Sequence, residues 1–239
     1  MRIFPAIDLR NKQCVRLKQG DYNDETVYGD PLEMARQWED AGASYLHLVD
    51  LDAAKGDPSE NVGVIETIAN HVSIPVQVGG GVRDLDRIQS LLDAGVERVI
   101  LGTAAVKDPT FARDAVKQFG SKRIVVSIDA REGYVATDGW LETSDLEAVD
   151  FATQMQSYGV KTIVYTDIAK DGMLKGPNVD ALYEMNEATA LNVIASGGVS
   201  SLKDIRALSD IKLYGAIVGK ALYENKVTLE AIMKESSTC

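Results

Sequence analysis

The chain has 239 residues, 45% of them hydrophobic, with 25 basic and 36 acidic side chains and a formal charge of −11. Such a chain can fill the core of one domain, and its charge repels a nucleic-acid backbone, with no Lys/Arg stripe to offset the repulsion. No apolar run approaches the roughly 18 residues of a membrane span, so neither nucleic acid nor membrane is an expected partner.

Strand-length apolar runs occupy residues 2–7, 45–49, 76–78, 99–101, 124–128, 162–165, 193–195 and 215–218. Most are nearly continuous Val, Ile and Leu, the pattern of parallel strands covered on both faces. Helical segments separate them, such as residues 85–94, where Leu85, Ile88, Leu91 and Leu92 share one face. Only 19–29 and 131–144 read as long connections after a strand.

The second half of the chain repeats the first. Gly42, Asp50, Asn61, Gly80, Gly81, Ile88, Leu91, Gly102 and Ala104 recur as Gly159, Asp167, Asn178, Gly197, Gly198, Ile205, Leu208, Gly219 and Ala221, each 117 positions on (219 − 102 = 117). Repetition at that length implies two copies of a multi-element unit. Eight βα units in about 240 residues point to one α/β domain, a (β/α)8 TIM barrel made of half-barrels at about 1–120 and 121–239. A doubly wound open sheet is the competing architecture, and it would strand two apolar edges.

In such a barrel the active site gathers at the carboxyl ends of the strands. Asp8 ends the first run and Asp129 the fifth, which sets two carboxyl groups on opposite sides of one mouth, as a general base and a general acid require. Each could instead cap a loop. Asp50 and Asp167 end the second and sixth runs and could orient loop backbone, and Thr166 could offer a hydroxyl to the mouth.

Glycine loops follow four strands: Gly79-Gly80-Gly81-Val82-Arg83, Ser196-Gly197-Gly198, Gly102-Thr103 and Gly219-Lys220. Glycine admits close backbone approach to an anion, and a helix start just beyond supplies N–H groups. Two phosphate sites facing one another are expected, and hence a small-molecule substrate phosphorylated at both ends.

No Walker or dinucleotide fingerprint stands in its strand-to-helix setting, so no nucleotide cofactor is implied. His47 and His71, the only histidines, lack partners at ligand spacing, and no metal is expected. His47 reads as a core or wall residue and His71 as a surface one. Cys14 and Cys239 are too few and scattered for a disulfide framework, Cys14 has no nucleophile signature, and the amino terminus lacks a secretory signal. The expected location is cytoplasmic, with no obligatory protein partner and a monomeric chain.

Residues 5–9 (Pro-Ala-Ile-Asp-Leu), 14–17 (Cys-Val-Arg-Leu), 19–22 (Gln-Gly-Asp-Tyr), 46–52, 79–83 and 196–199 together resemble the phosphoribosylformimino aminoimidazole carboxamide ribotide isomerase family of histidine biosynthesis. The similarity runs through residues 219–224. The resemblance implies a cofactor-free Amadori rearrangement of an aminoaldose to an aminoketose on a substrate carrying two phosphates. Asp8 would remove the C2 proton of the ring-opened ribosyl moiety, and Asp129 would protonate the ring oxygen. That role needs a proton on Asp129 near neutrality, through desolvation or a neighbouring negative charge.

By the same resemblance Arg83 would clamp substrate, Trp140 would stack on the imidazole from a mobile loop, and Thr166 and Asp171 would position the sugar. Gly20, Gly81, Gly102, Thr103, Gly172, Gly198, Gly219 and Lys220 complete the expected substrate contacts. The chain departs from the usual pattern at Asn11 and Ala53, where glycine is common. Three other readings remain open at this point: an isomerase that also accepts phosphoribosylanthranilate, a catalytically idle phosphate-binding module, and an ammonia-dependent synthase subunit like the related cyclase.

Overall fold

The computed structural model describes residues 1–18, 20–57, 59–137 and 140–237, with Lys18 described by its backbone alone; Gln19 and Cys239 lie outside the described residues. Twelve strands form one sheet. The first half contributes β1 (Arg2–Arg10), β2 (Gln13–Lys18), β3 (Asp21–Gly29), α1 (Pro31–Asp40), β4 (Leu46–Asp50), α2 (Leu51–Lys55) and α3 (Val62–His71). After these come β5 (Val76–Gly79), α4 (Leu85–Asp93), β6 (Arg98–Leu101), α5 (Thr103–Lys107) and α6 (Pro109–Phe119). The second half runs β7 (Ile124–Arg131), β8 (Tyr134–Thr137), β9 (Glu142–Glu147), α7 (Ala148–Ser157), β10 (Thr162–Asp167) and α8 (Val179–Ala188). It ends with β11 (Asn192–Ser196), α9 (Leu202–Asp210), β12 (Gly215–Val218), α10 (Lys220–Tyr223) and α11 (Leu229–Ser237).

Eight strands pair in parallel in the order β1, β4, β5, β6, β7, β10, β11, β12, and β12 returns to β1 with Arg2 opposite Gly215. The cylinder is closed and has no free edge. It is a (β/α)8 barrel, and its eight strands contain or overlap the eight apolar runs of the sequence.

Alternation along each strand divides its side chains between two cores. Phe4, Ala6, Tyr45, Ile100, Val125, Val164, Ile194 and Ile217 fill the barrel interior. Their neighbours, among them Ile3, Ile7, Leu48, Val78, Val99, Ile163 and Val193, point outward into the layer shared with the helices. Helix starts repeat too. Asp84 caps α4 and Ser201 caps α9 (201 − 84 = 117), each accepting from the backbone N–H of the third helical residue.

Both long connections are antiparallel hairpins rather than loops. β2 and β3 extend β1, while β8 and β9 extend β7. Asp8 and Asp129 therefore lie within their strands rather than at the ends, because each strand continues into its hairpin. The sequence hides this because β3, Asp-Tyr-Asn-Asp-Glu-Thr-Val-Tyr-Gly, is polar and mostly exposed, with no buried face to impose a period of two.

The first turn of each hairpin uses two left-handed residues, Asn11 and Lys12 (φ 49° and 64°) and Glu132 and Gly133 (φ 52° and 86°). That geometry suits a two-residue turn between twisted strands, and asparagine tolerates it better than most side chains. Asn11 thus replaces glycine without losing the turn, and its N–H donates to Asp52 Oδ2 at 2.8 Å. The offset here is 121 (132 − 11), as it is for Asp8 and Asp129 (129 − 8 = 121), four more than the 117 of the barrel pairs. Because the 117 offset resumes at Gly42 and Gly159, the four extra residues lie in the first hairpin and its approach to α1.

Candidate active site

Interior alternation on β1 (Phe4, Ala6) and β7 (Val125) brings Asp8 and Asp129 to the carboxyl end of the barrel, facing inward. Thr166 lies directly opposite Asp129 across the β7–β10 pair and is buried. Asp8 does not stand alone. Arg16 Nη1, on β2, donates to Asp8 Oδ2 at 2.9 Å, and both side chains are largely buried. The guanidinium carbon of Arg16 lies 5.8 Å from the ring centroid of Tyr223. Tyr223 in turn donates to the carbonyl of Ala6 at 2.8 Å and shares a contact with the sulfur of Cys14.

Burial pushes the Asp8 carboxyl above its ordinary range, the Arg16 charge pulls it back, and Asp171 pushes it up again. Asp171 follows β10 in the next loop. It too is raised by burial, against the pull of Arg16, with Asp129 raising it further and Lys220 lowering it. Asp8, Asp129, Asp171, Arg16 and Lys220 thus form one electrostatic cluster at the mouth. Lys220 Nζ donates to the carbonyl of Gly172 at 3.0 Å, tying the loop after β12 to the loop after β10.

Asp129 accepts two hydrogen bonds, from Ser127 Oγ to Oδ1 at 3.1 Å and from Trp140 Nε1 to Oδ2 at 2.9 Å. Trp140 has a left-handed backbone (φ 73°), and Arg131 Nη2 holds its carbonyl at 2.9 Å. Gly20, at the tip of the other hairpin, also has positive φ, and a Cβ there would lie 3.1 Å from Trp140 Cε3. The tips of the two hairpins therefore meet across the mouth, with the indole between Gly20 and Asp129.

The glycine loops serve backbone packing as well as any ligand. A Cβ on Gly80 or Gly81 would run into the backbone of Asp50 or Ala53, and one on Gly198 into Gly176. Gly102 and Gly219 differ. Their backbones match one another (φ −110°, ψ −119° and φ −114°, ψ −97°), and each opens a short helix with no side-chain cap. A Cβ on Gly102 meets nothing within 4 Å, whereas one on Gly219 meets the Arg16 guanidinium. Arg83 is exposed on the rim, where it donates to the carbonyls of Ala53 and Ala54 at 3.1 and 3.3 Å.

Asp50 and Asp167 brace loops. Asn61 Nδ2 donates to Asp50 Oδ1 at 2.9 Å, and Asn178 Nδ2 donates to Asp167 Oδ2 at 2.7 Å, the same pair in each half. Ser59 and Arg87 bind the first of these carboxylates as well. Among the described residues no group of three or more His, Cys, Asp or Glu side chains is arranged to hold a metal ion. No described helix is long and apolar enough to cross a membrane.

Arg16 and Ser127 are absent from the site expected from sequence. Ser127 was accessible through alternation, two residues before Asp129 on the same strand face. Arg16 was not, since β2 had to be recognised as a strand folded back on β1 before its side chain could meet Asp8.

The model of the family described as histidine biosynthesis protein matches residues 2–228. The chain belongs to that family. It is 55% identical to a protein of Oceanobacillus iheyensis over 98% of both chains. Identity is 53% to one of Lachnoclostridium phytofermentans, covering 96% of this chain and 97% of that one. A Bacillus cereus protein is 50% identical over the full length of both. Each relative is named a 1-(5-phosphoribosyl)-5-((5-phosphoribosylamino)methylideneamino) imidazole-4-carboxamide isomerase. Members of the family thus carry names that specify two phosphoribosyl groups on one substrate.

Proposed function

We propose that this chain is an aldose–ketose isomerase of histidine biosynthesis, acting on the bis-phosphorylated formimino ribotide that its relatives' names describe. The observation that carries the reading is the meeting of Asp8 and Asp129 at one barrel mouth between two matching glycine turns, Gly102 and Gly219. Asp8 removes the C2 proton of the ring-opened sugar. Burial strengthens it as a base, and the Arg16 contact keeps it ionised while it waits. Backbone N–H groups of the loops after β6 and β12 receive the two phosphates, with Lys220 adding charge at the second. Trp140, released from Asp129, stacks on the imidazole, and the two hairpins close over the sugar and exclude water.

Asp129 supplies the proton to the ring oxygen in the reading taken from the family. Asp171 is a second candidate for that step: burial and the neighbouring Asp129 charge push it toward its protonated form, against the pull of the Arg16 and Lys220 charges. A buried acid beside a second carboxylate is the usual way to hold a proton near neutrality. In this arrangement Asp129 keeps its Ser127 contact and orients the substrate.

Purified chain, tested alone in chelator and without ammonia, should convert the formimino ribotide to its ribulosyl isomer. A requirement for ammonia would point to the synthase reading, and binding without turnover to the idle module. The substrate named for the relatives has two phosphoribosyl groups, which favours the two-phosphate reaction over a dual activity on phosphoribosylanthranilate.

A further inference from the structure

Beneath Asp8 the barrel interior holds three polar side chains in a row. His47 lies opposite Ala6 on β1, one interior layer below Asp8, and Gln77 and Arg98 follow on the next two strands in register. All three are buried, with His47 8% and Arg98 6% exposed and Gln77 sealed. Arg98 Nη2 donates to Gln77 Oε1 at 2.6 Å, and Gln77 Nε2 lies 3.0 Å from His47 Nδ1.

Proton bookkeeping along this row has one solution. A guanidinium has no acceptor, so the Gln77 atom facing Arg98 must be oxygen, which turns its NH2 group toward the imidazole. That NH2 can only donate, so Nδ1 of His47 must carry a lone pair, and the ring's single proton sits on Nε2. Nε2 makes no hydrogen bond to protein among the described residues, and it is not among their sealed, unpartnered atoms.

Filling the barrel this way is unfavourable for stability alone. Arg98 has no carboxylate partner among the described residues, and its Nε is sealed without an acceptor. What offsets the burial is the face of Tyr45 at 4.5 Å and of Phe4 at 5.5 Å from the guanidinium carbon. Apolar residues of similar volume commonly replace such buried charges at no loss. The arginine is explained if its orientation of Gln77 matters.

We propose that Arg98 and Gln77 are positioning residues that lock His47 as the Nε2–H tautomer, a neutral hydrogen-bond donor offered to an oxygen of the sugar from the floor of the mouth. The sugar as ligand rests on the isomerase reading; the tautomer lock does not. A neutral donor suits this place. An imidazolium one layer below Asp8 would weaken that carboxylate as a base, whereas N–H can hold a hydroxyl oxygen without adding charge. Burial pushes the imidazole down to about 3, with the Arg16 and Arg98 charges acting in the same direction, so it stays uncharged in the working range.

The test uses the whole chain labelled with 15N-histidine. With only two histidines present, long-range proton–nitrogen spectra compared with those of H47N assign His47 at once. The expected spectrum shows a protonated Nε2 and an unprotonated Nδ1, and the Gln77→Glu variant, whose carboxylate only accepts, moves a proton onto Nδ1. Gln77→Leu, which retains the volume without the donor, gives averaged nitrogens and is the second variant if the glutamate disturbs folding. In turnover assays both variants lower kcat/KM by about tenfold, the scale of one lost hydrogen bond. Protonated Nδ1 or averaged nitrogens in the unmodified chain overturn the lock. A folded Gln77→Glu with a changed tautomer and unaltered kcat/KM overturns the role as donor. Absence of turnover in the unmodified chain, with the expected nitrogens, overturns the isomerase reading and the sugar as ligand, while the lock stands.

Discussion

Trp140 Nε1 donates to Asp129 Oδ2 at 2.9 Å, so the indole occupies the carboxylate that a substrate would meet. In Trp140→Phe the ring remains and the donor is lost. Stacking also weakens, and KM is expected to rise about tenfold, with a smaller change in kcat. Fluorescence provides a direct check, since Trp38, the other tryptophan, is buried on α1 with its ring against Tyr223 rather than against Asp129. Titration with product should change emission in the parent chain and leave Trp140→Phe silent; an equal change in both would remove Trp140 from the site.

Steady-state kinetics should separate the carboxylates. Asp8→Asn is expected to lower kcat by about 10²–10⁴, the usual contribution of a positioned base, with KM little altered. Loss of comparable size in Asp171→Asn, with a lesser loss in Asp129→Asn, would assign the acid to Asp171. The reverse order would return that role to Asp129.

Stability should show where Asp171 is held in its native environment. Its folded pKa lies above the ordinary 3.8. The folded state therefore binds the proton more tightly than the unfolded chain. Its contribution is fully present below 3.8 and is lost as pH rises through the folded value. Asp171→Asn removes that loss, so at neutral pH the variant should melt higher than the parent while turning over poorly. A lower melting temperature would mean that the carboxylate is needed for packing or pairing.

His47 has the opposite sign. Its folded pKa is lowered from 6.5 to about 3, so between those values the unfolded chain takes up a proton that the folded chain refuses. Stability then falls as pH drops below 6.5, by up to about 1.4 kcal/mol per pH unit from this group. Denaturant titrations of the parent and His47→Asn at pH 7 and 4.5 should show a steeper acid loss in the parent. Parallel curves would place the imidazole in contact with water.

Glycine replacements should distinguish packing from binding. Alanine at Gly81 or Gly198 places Cβ against backbone at positive φ, and each is expected to lose about 1–3 kcal/mol of stability. The sequence alone suggests only a higher KM at these positions, from crowding of a phosphate; the contacts with Ala53 and Gly176 change that expectation. Gly102→Ala meets no neighbour within the protein, so its Cβ should act on a bound phosphate and raise KM. An unchanged KM would remove the loop after β6 from the phosphate sites.

The barrel was legible because its strands are buried on both faces, which leaves continuous runs such as Val-Ile-Leu at 99–101, and because Asp50, Asn61 and Gly102 recur at one offset. The hairpins were not. β3 contributes no fully buried residue and packs on the core through Tyr28, so hydrogen bonding to β2 rather than burial makes it a strand, which composition does not record. Asp8 and Asp129 could be read from their strand positions, whereas Arg16 and the indole contact depended on chain folding back over the mouth. The row from Arg98 to His47 was hidden for another reason: polar residues in a barrel interior look like interruptions of a strand until register places them side by side.

The Asp–Asn braces of the two halves are alike in design and unequal in strength. Asp50 is sealed and also gripped by Ser59 and Arg87, while Asp167 is partly open and held by Asn178 and the Ala169 N–H. The rim is consequently tied down by more side-chain partners on one side than on the other. A ligand spanning it would meet a sealed, charge-paired carboxylate at the end near β4 and β5 and a partly open one near β10 and β11, where Asp171 and Gly172 reside. Unequal bracing of this kind gives the two ends of a nearly two-fold molecule different surroundings in a nearly two-fold cavity.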